Sequence, residues 1–375
     1  MEVAARELLP ALVAAAPGVR FTAFLSREGA AGEPWGELMP AVTVPVSARN
    51  RPMWVAGEQA LLPPLAARQR VTLVHSLAST APLWGPFRRV VTVHDLIYAR
   101  FPEAHAGIRD LGMRVLVPLA VRRAHRVIAI SERTRGDLVE LLGADRGRID
   151  VVPQGVAPLP ARRPSQATPQ EVLARLGLGD RQVLLSLSAK RPHKNLGMLI
   201  AALAAIPPPR RPVLILPGYP TWHEPELRER ARSLGVQEDV RFLGWVSAAE
   251  LEELWSVSDA FVFPSLYEGF GLPLLEAMAR GVPVASSDAS SLPEVAGDAA
   301  LLFDPRDERA LVAAIERLLA GGPEVERLRR AGHERVAAFT WRRTAELTLA
   351  SYARALGLAE IPASWTRSPW PVASV

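Results

Sequence analysis

The chain has 375 residues, 49% of them hydrophobic and 22% charged, with a formal net charge of +5. That length predicts two domains with sizeable cores. There is no cysteine, which excludes a disulfide framework, a thiolate metal site and a cysteine nucleophile.

No uncharged apolar run reaches the about 18 residues of a membrane span. The opening stretch carries Glu2 and Glu7 and lacks the basic leader of a secretory signal. A cytoplasmic protein is therefore expected. Charge is uneven: residues 1–165 hold 21 arginines against 14 acids, whereas residues 166–375 hold 23 basic and 25 acidic residues. The basic first half would suit a phosphate-bearing acceptor or a peripheral contact with an anionic membrane on the inner face of the cell. It would equally suit the solvated surface of an arginine-rich chain. Basic residues interleave with acids and show no aromatic stacking pattern, so no nucleic-acid partner is expected. Of 44 basic residues only two are lysine, Lys190 and Lys194, four positions apart. An ammonium is a compact point charge suited to a phosphate oxygen, whereas a guanidinium is a planar fork, so this pair is a candidate anion site.

In chain order, the first pattern is a helix over Val3–Ala14. A doubly wound domain normally opens instead with a strand and a glycine-rich turn. That pair is missing here, and coding sequence upstream of Met1 is expected to supply it. Short apolar runs at Phe21–Leu25, Val71–His75, Val90–His94, Val127–Ile130 and Ile149–Val152 predict buried strands. Arg109–Arg123 and Glu132–Leu142 predict helices, the second capped by Ser131 and closed by Gly143. Ala157–Gln170, rich in proline and polar residues, reads as a linker. A second alternating series follows. Strands are predicted at Val183–Leu187, Val213–Leu216, Val240–Leu243, Ala260–Val262 and Val282–Ala285. Helices are predicted at Leu196–Ala205, Glu224–Ser233, Ala248–Val257, Pro273–Ala279, Glu308–Ala320 and Pro323–Ala337. Residues 361–375 show no pattern and read as a tail. Strands alternating with helices predict two α/β units, each with a parallel sheet covered on both faces. Ligands of such sheets lie beyond the carboxyl ends of the strands, so a cleft between the two domains is the expected site.

Three segments carry chemistry. Phe263–Glu276, FPSLYEGFGLPLLE, lies between a predicted strand and helix. It sets two carboxylates, Glu268 and Glu276, around Gly269 and Gly271, where backbone can approach a ligand. Free amides at the following helix start would favour an anion, and ionised carboxylates would accept from sugar hydroxyls. Ser186–Leu196, SLSAKRPHKNL, places Lys190, Arg191, His193 and Lys194 after another strand, a pattern suited to a diphosphate. Val90–Tyr98, VVTVHDLIY, ends a first-domain strand in His94 and Asp95. A lone histidine there is more often structural than substrate-binding, and His75, at another strand end, is the weaker candidate.

Together these segments resemble glycosyltransferase family 4, the retaining transferases of the GT-B fold. The likeness runs from the first helix to about Leu356 through VTVHDLIY, VIAISERT, VVPQGV, SAKRPHKNL, RFLGWVS, AFVFPSLYEGFGLPLLEAMARGVPV and SSLPEVAGDAALLFDP. Its most specific element is the pair Glu268 and Glu276, eight positions apart. The resemblance implies two Rossmann-like domains facing across a cleft. Residues 1–157 would be the acceptor-side domain and 158–340 the donor domain. Residues 341–358 would be a helix returning to the first domain, and 359–375 a tail. It implies that Glu268 holds the donor hexose, that the amides of Gly269, Phe270 and Gly271 line sugar and phosphate, and that Leu272 and Leu275 sit near the diphosphate. Glu276 would take the ribose hydroxyls. Lys194, with Lys190 or Arg191, would neutralise the diphosphate, beside Ser188, where the family usually has glycine. His193 stands where the family often has arginine. Backbone near Trp245 and Val246 would meet the base, and His94 the donor sugar from the acceptor side.

The activity so implied is hexose transfer, with retention, from a nucleotide-diphosphate sugar to a hydroxyl of a glycan or lipid-linked acceptor, as in polysaccharide or glycolipid synthesis. Neither metal nor cofactor is expected, because fixed cations would stabilise the leaving diphosphate. As an exposed loop lysine, Lys194 is expected to affect folding by no more than about 0.5 kcal/mol. Alternatives are a non-catalytic nucleotide-sugar-binding subunit and a GT-B-fold epimerase or phosphorylase. A Rossmann dehydrogenase is disfavoured because no G-x-G-x-x-G follows a first strand.

Overall fold

The computed structural model describes residues 2–32, 35–101, 108–157 and 167–367. Most of the predicted linker, and the end of the tail from residue 368, lie outside the described residues. The chain divides into two units: Met1–Gly155 with Thr340–Val375, and Val156–Phe339.

Unit 1 contains β1 (Ala23–Leu25), β2 (Ala41–Thr43), β3 (Leu73–Ser76), β4 (Arg88–Val93), β5 (Arg126–Ala129) and β6 (Ile149–Val151). All pairings are parallel, but the strands form two sheets, β1-β2 and β3-β4-β5-β6. Val90, Val91 and Val93 of β4 are fully buried, as expected of a strand covered on both faces. One side is covered by Ile108–Arg123 and Glu132–Leu142. Ser131 caps the latter by accepting from the Thr134 amide, and Gly143 closes it at φ 61°. The other side is covered by Glu2–Ala15 and by Trp341–Ala355, whose Trp341, Ala345 and Leu349 join Leu8, Leu12, Val90, Ile128 and Val152 in one apolar cluster. The described part of the tail is not patternless. Ala363–Thr366 is a helical turn, Trp365 packs on that cluster, and its carbonyl accepts from the Gly18 amide at 2.9 Å.

Unit 2 contains β7 (Val183–Leu185), β8 (Val213–Pro217), β9 (Val240–Gly244), β10 (Ala260–Phe263), β11 (Val284–Ser287) and β12 (Ala300–Phe303) in one parallel sheet of order β12-β11-β10-β7-β8-β9. On one face of that sheet Leu184, Leu214, Leu216, Val262, Ala285 and Phe303 pack with helix leucines and isoleucines in one cluster, and the alternate residues Val183, Leu185, Ile215, Phe261 and Val284 are buried on the other. The strand order reverses between β7 and β10, the place where doubly wound sheets open a crevice for ligand. The helix Pro169–Arg175 starts within the stretch expected to be linker, opened by a Thr168–Glu171 capping box. β11 begins two residues later than expected, because Ala277 accepts from the Val282 amide and completes the preceding helix end. β2, β12 and the short helices Arg27–Gly32, Trp35–Leu38, Arg51–Ala56 and Leu62–Arg68 were not expected.

Candidate active site

Two loops meet at the strand-order reversal of unit 2. The loop after β7 ends in a short turn, Pro192–Lys194, and in Asn195, which adopts φ 56° before the helix Leu196–Ala205. The Asn195 amide group donates to the carbonyls of Pro264 at 3.1 Å and Pro305 at 2.8 Å. The Leu266 amide donates to the His193 carbonyl at 2.8 Å. The β7 and β10 loops are thus joined before any charge is considered.

On that frame Lys194 and Glu268 face each other, Nζ to Oε1 at 2.6 Å, with side chains 16% and 10% exposed. The two residues are 74 apart in sequence, and nothing but the fold brings them together. The expectation of an exposed Lys194 is corrected: it is mostly buried, ion-paired, and lies over the Phe263 ring at 5.7 Å.

The turn after Glu268 is braced from the loop that follows β11. Ser290 Oγ donates to the Glu268 carbonyl at 2.7 Å, and Ser291 Oγ lies within hydrogen-bond distance of the Glu268 and Phe270 carbonyls at 3.0 and 2.9 Å. Gly271 caps the helix Leu272–Ala279 at φ 109°, and a Cβ there would meet Leu292 at 2.6 Å, so only glycine fits. Phe270 is buried edge-on against Phe339, and Leu275 is fully buried. Both therefore leave only backbone for a ligand, whereas Leu272 is half-buried. Glu276 is also half-buried, and its carboxylate makes no hydrogen bond or ion pair among the described residues. Burial raises its pKa, nearby Arg280 opposes the rise and Glu252 adds to it. Arg280 itself is held by Glu252 and by the Glu276 carbonyl at 2.8 Å.

Lys190 is placed differently from expectation. It is fully buried, and its ammonium donates to the carbonyls of Leu216 and Gly218, both at 2.8 Å. Its charge is committed to the carboxyl end of β8, and Arg191 beside it is half-buried. Among the described residues, Ser188 Oγ is buried without a hydrogen-bond partner, as are Ser186 Oγ and Ser265 Oγ, at the ends of β7 and β10. Unpartnered buried hydroxyls are uncommon. Trp245, one residue beyond β9, is 63% exposed, and Val246 is half-buried.

In unit 1, His94 follows β4. One ring nitrogen lies 2.7 Å from the Leu77 carbonyl and the other 3.3 Å from the Gln154 amide nitrogen. Burial lowers its pKa, against the Leu77 carbonyl, which raises it. Both nitrogens are thus engaged within unit 1, beside a cavity of about 20 Å³ lined by Leu77, Ile130 and Thr348, roughly room for one water. Gly269 lies in the braced turn after Glu268. His75 is structural: it bridges Tyr352 Oη at 2.7 Å and Thr92 Oγ1 at 2.8 Å, and burial pushes its pKa down to about 3. Sequence reasoning missed Asn195, Ser290 and Ser291 as the residues that hold the loops. SSLPEVAG contained the serines, but no local pattern tied them to a turn some twenty residues earlier.

Residues 1–158 match the family model described as Glycosyltransferase Family 4, and residues 171–335 that of Glycosyl transferases group 1. The O-antigen chain mannosyltransferase B of Escherichia coli is 33% identical over 277 residues, covering 71% of this chain and 70% of that protein. The D-inositol 3-phosphate glycosyltransferase of Kineococcus radiotolerans is 31% identical over 328 residues, covering 81% and 70%. Among solved structures, HepE of Anabaena in complex with UDP-glucose is 21% identical with a TM-score of 0.72, covering 91% of this chain and 94% of that one. The architecture is that of GT-B glycosyltransferases, which take nucleotide sugars as donors. The chain belongs to glycosyltransferase family 4.

Proposed function

We propose that this chain transfers a hexose, mannose or glucose, with retention and without a divalent metal, to a hydroxyl of a glycan or lipid-linked glycan acceptor. The observation that carries the reading is the Lys194–Glu268 pair at the strand-order reversal of unit 2. Likeness to an O-antigen chain mannosyltransferase supports a glycan acceptor.

In this reading the diphosphate draws Lys194 away from Glu268 and sits over the amides of Gly269, Phe270 and Gly271 and the start of the helix Leu272–Ala279. Glu268, so released, accepts from the hexose hydroxyls, and Glu276 from the ribose. Ser188 Oγ and Arg191 add donors at the phosphates, and the base lies against the backbone at Trp245–Val246. As the anomeric carbon–oxygen bond breaks, negative charge gathers on the leaving diphosphate, where Lys194 is already positioned. The acceptor oxygen attacks from the face the diphosphate leaves, and its proton passes to a departing phosphate oxygen.

Among the described residues no helix is long and apolar enough to cross a membrane. We place the reaction in the cytoplasm, with the basic first half of the sequence suited to a peripheral membrane contact.

The decisive experiment is a thermal-shift panel of UDP, GDP and their hexose conjugates, followed by transfer assays with the best donor. Turnover is expected to persist in excess chelator; activity lost there and restored by magnesium or manganese would overturn metal independence. Glu276→Ala is expected to weaken donor binding by about one to two decades, the value of a charged hydrogen-bond partner of about 1.5–3 kcal/mol. Equal donor affinities by calorimetry would remove Glu276 from the site.

A further inference from the structure

Outside the donor site, unit 1 carries a second rigid arrangement along the loop that joins β3 to β4. Between the helices Arg51–Ala56 and Leu62–Arg68 the chain widens into a π-turn, Gly57–Leu61, a feature common where a helix is shaped for function. It presents Glu58 and Gln59 to the loop that follows β3. Glu58 is buried and accepts from Thr80 Oγ1 at 2.9 Å and from Gln59 Nε2 at 3.0 Å. The Gln59 side chain also donates to the Ala81 carbonyl and accepts from the Leu83 amide, each at 3.0 Å. The Trp84 indole N–H donates to the Gln59 carbonyl at 2.7 Å. At its other end the loop is pinned to β4: the Ser79 amide donates to the Thr92 carbonyl at 2.9 Å, and Ser79 holds φ 64°. The same loop supplies the Leu77 carbonyl that meets His94.

All this fixes one large side chain in the open. Trp84 is 54% exposed, yet its only polar group is already used inside the protein. What remains is the apolar face of an immobilised ring. Such a face cannot read a partner by hydrogen bonds. It suits the C–H face of a pyranose, and its rigidity removes an ordering cost on binding. Burial raises the Glu58 pKa, with Thr80 and Gln59 opposing the rise, so the acid braces the loop rather than meeting the ligand.

We propose that Trp84 is an acceptor-binding platform on which a sugar ring of a glycan stacks, with Glu58 and Gln59 as its positioning residues. This rests on the chain's reading as a glycan-extending transferase and adds the residue that would recognise the acceptor.

The test is saturation-transfer NMR on the whole protein with methyl α-D-mannopyranoside, methyl α-D-glucopyranoside and an α-linked mannobiose. Wild type should bind at least one of them at millimolar concentration. Trp84→Ala should weaken that binding about five- to tenfold, Trp84→Phe should recover part of it, and Gln59→Leu should weaken it with the indole still present. UDP and GDP binding, measured in the same samples, should be unchanged in all three. Saccharide binding that is absent in wild type, or equal in wild type and Trp84→Ala, overturns the proposal. So does loss of binding to phosphatidylglycerol vesicles in Trp84→Ala with saccharide binding intact, which would make the ring a membrane contact. If neither nucleotide binds wild type, the donor reading fails instead, and the two failures are told apart.

Discussion

Lys194→Ala is expected to lower kcat by about 10²–10³, the value of one preorganised charge at a developing anion. The ammonium lies where the sheet order reverses, and its attraction for the diphosphate grows as the glycosidic bond breaks, so the loss falls on the transition state more than on the ground state. Stability should fall as well, because Glu268 keeps a mostly buried carboxylate and loses its partner; a cost of roughly 1–3 kcal/mol is expected. The two effects can be separated. In Lys194→Ala/Glu268→Gln the unpaired charge is gone, so the melting temperature should recover while the rate does not. Lys194→Arg should restore only part of the rate, since a planar fork meets the phosphate differently. Retention of more than about a third of wild-type kcat in Lys194→Ala would refute the diphosphate role, since one such contact is worth far more.

Lys190→Met is expected to act on stability and its pH dependence. Burial pushes the Lys190 pKa down from 10.5 to about 8, opposed by nearby Glu224. Between those values the unfolded chain holds a proton that the folded chain has released, so rising pH favours the folded state. The buried charge thus carries a penalty of roughly 3 kcal/mol below pH 8, removed as pH rises from 8 to 10.5. Lys190→Met has no such group but leaves the Leu216 and Gly218 carbonyls unpaired, at roughly 1–3 kcal/mol each. Its melting temperature should therefore fall further behind wild type as pH rises across that window. A constant gap from pH 7 to 10.5 would mean that Lys190 does not titrate there. Its kcat, measured well below melting, should drop far less than that of Lys194→Ala.

These two lysines mark what the sequence can and cannot say. Their isolation in an arginine-rich chain picked out the loop, but the turn between them sends one ammonium into the sheet end and the other to Glu268. Local spacing carries no information on that choice, which is made by the Leu216 and Gly218 carbonyls of a neighbouring strand. Helices such as Leu196–Ala205 and Glu308–Ala320 were readable to the residue, because their apolar signals are local, and in the second so is the Asp307 cap. β12 was hidden because four residues, ALLF, are too few to show a period. The helices between Arg27 and Arg68 were hidden because each spans two turns or fewer, with proline and alanine masking any apolar stripe. Spacing singled out the loop of Glu268 and Glu276, but the bracing of its turn by Ser290 and Ser291 was not legible, since those residues lie beyond the next strand.

The return of Trp341–Ala355 to unit 1 sets an order of events during synthesis. Unit 2 is continuous and can complete itself once Phe339 has left the ribosome. Unit 1 cannot, because the face formed by Leu8, Leu12, Val90, Ile128 and Val152 is still waiting for a helix encoded after the whole of unit 2. At about 5–20 residues per second, that face spends many seconds wet, first-made but last-finished. A nascent chain stalled with Phe339 just outside the ribosome should therefore present a protease-resistant second unit behind a chaperone-bound first one. The apolar stripe of that late helix is what releases it.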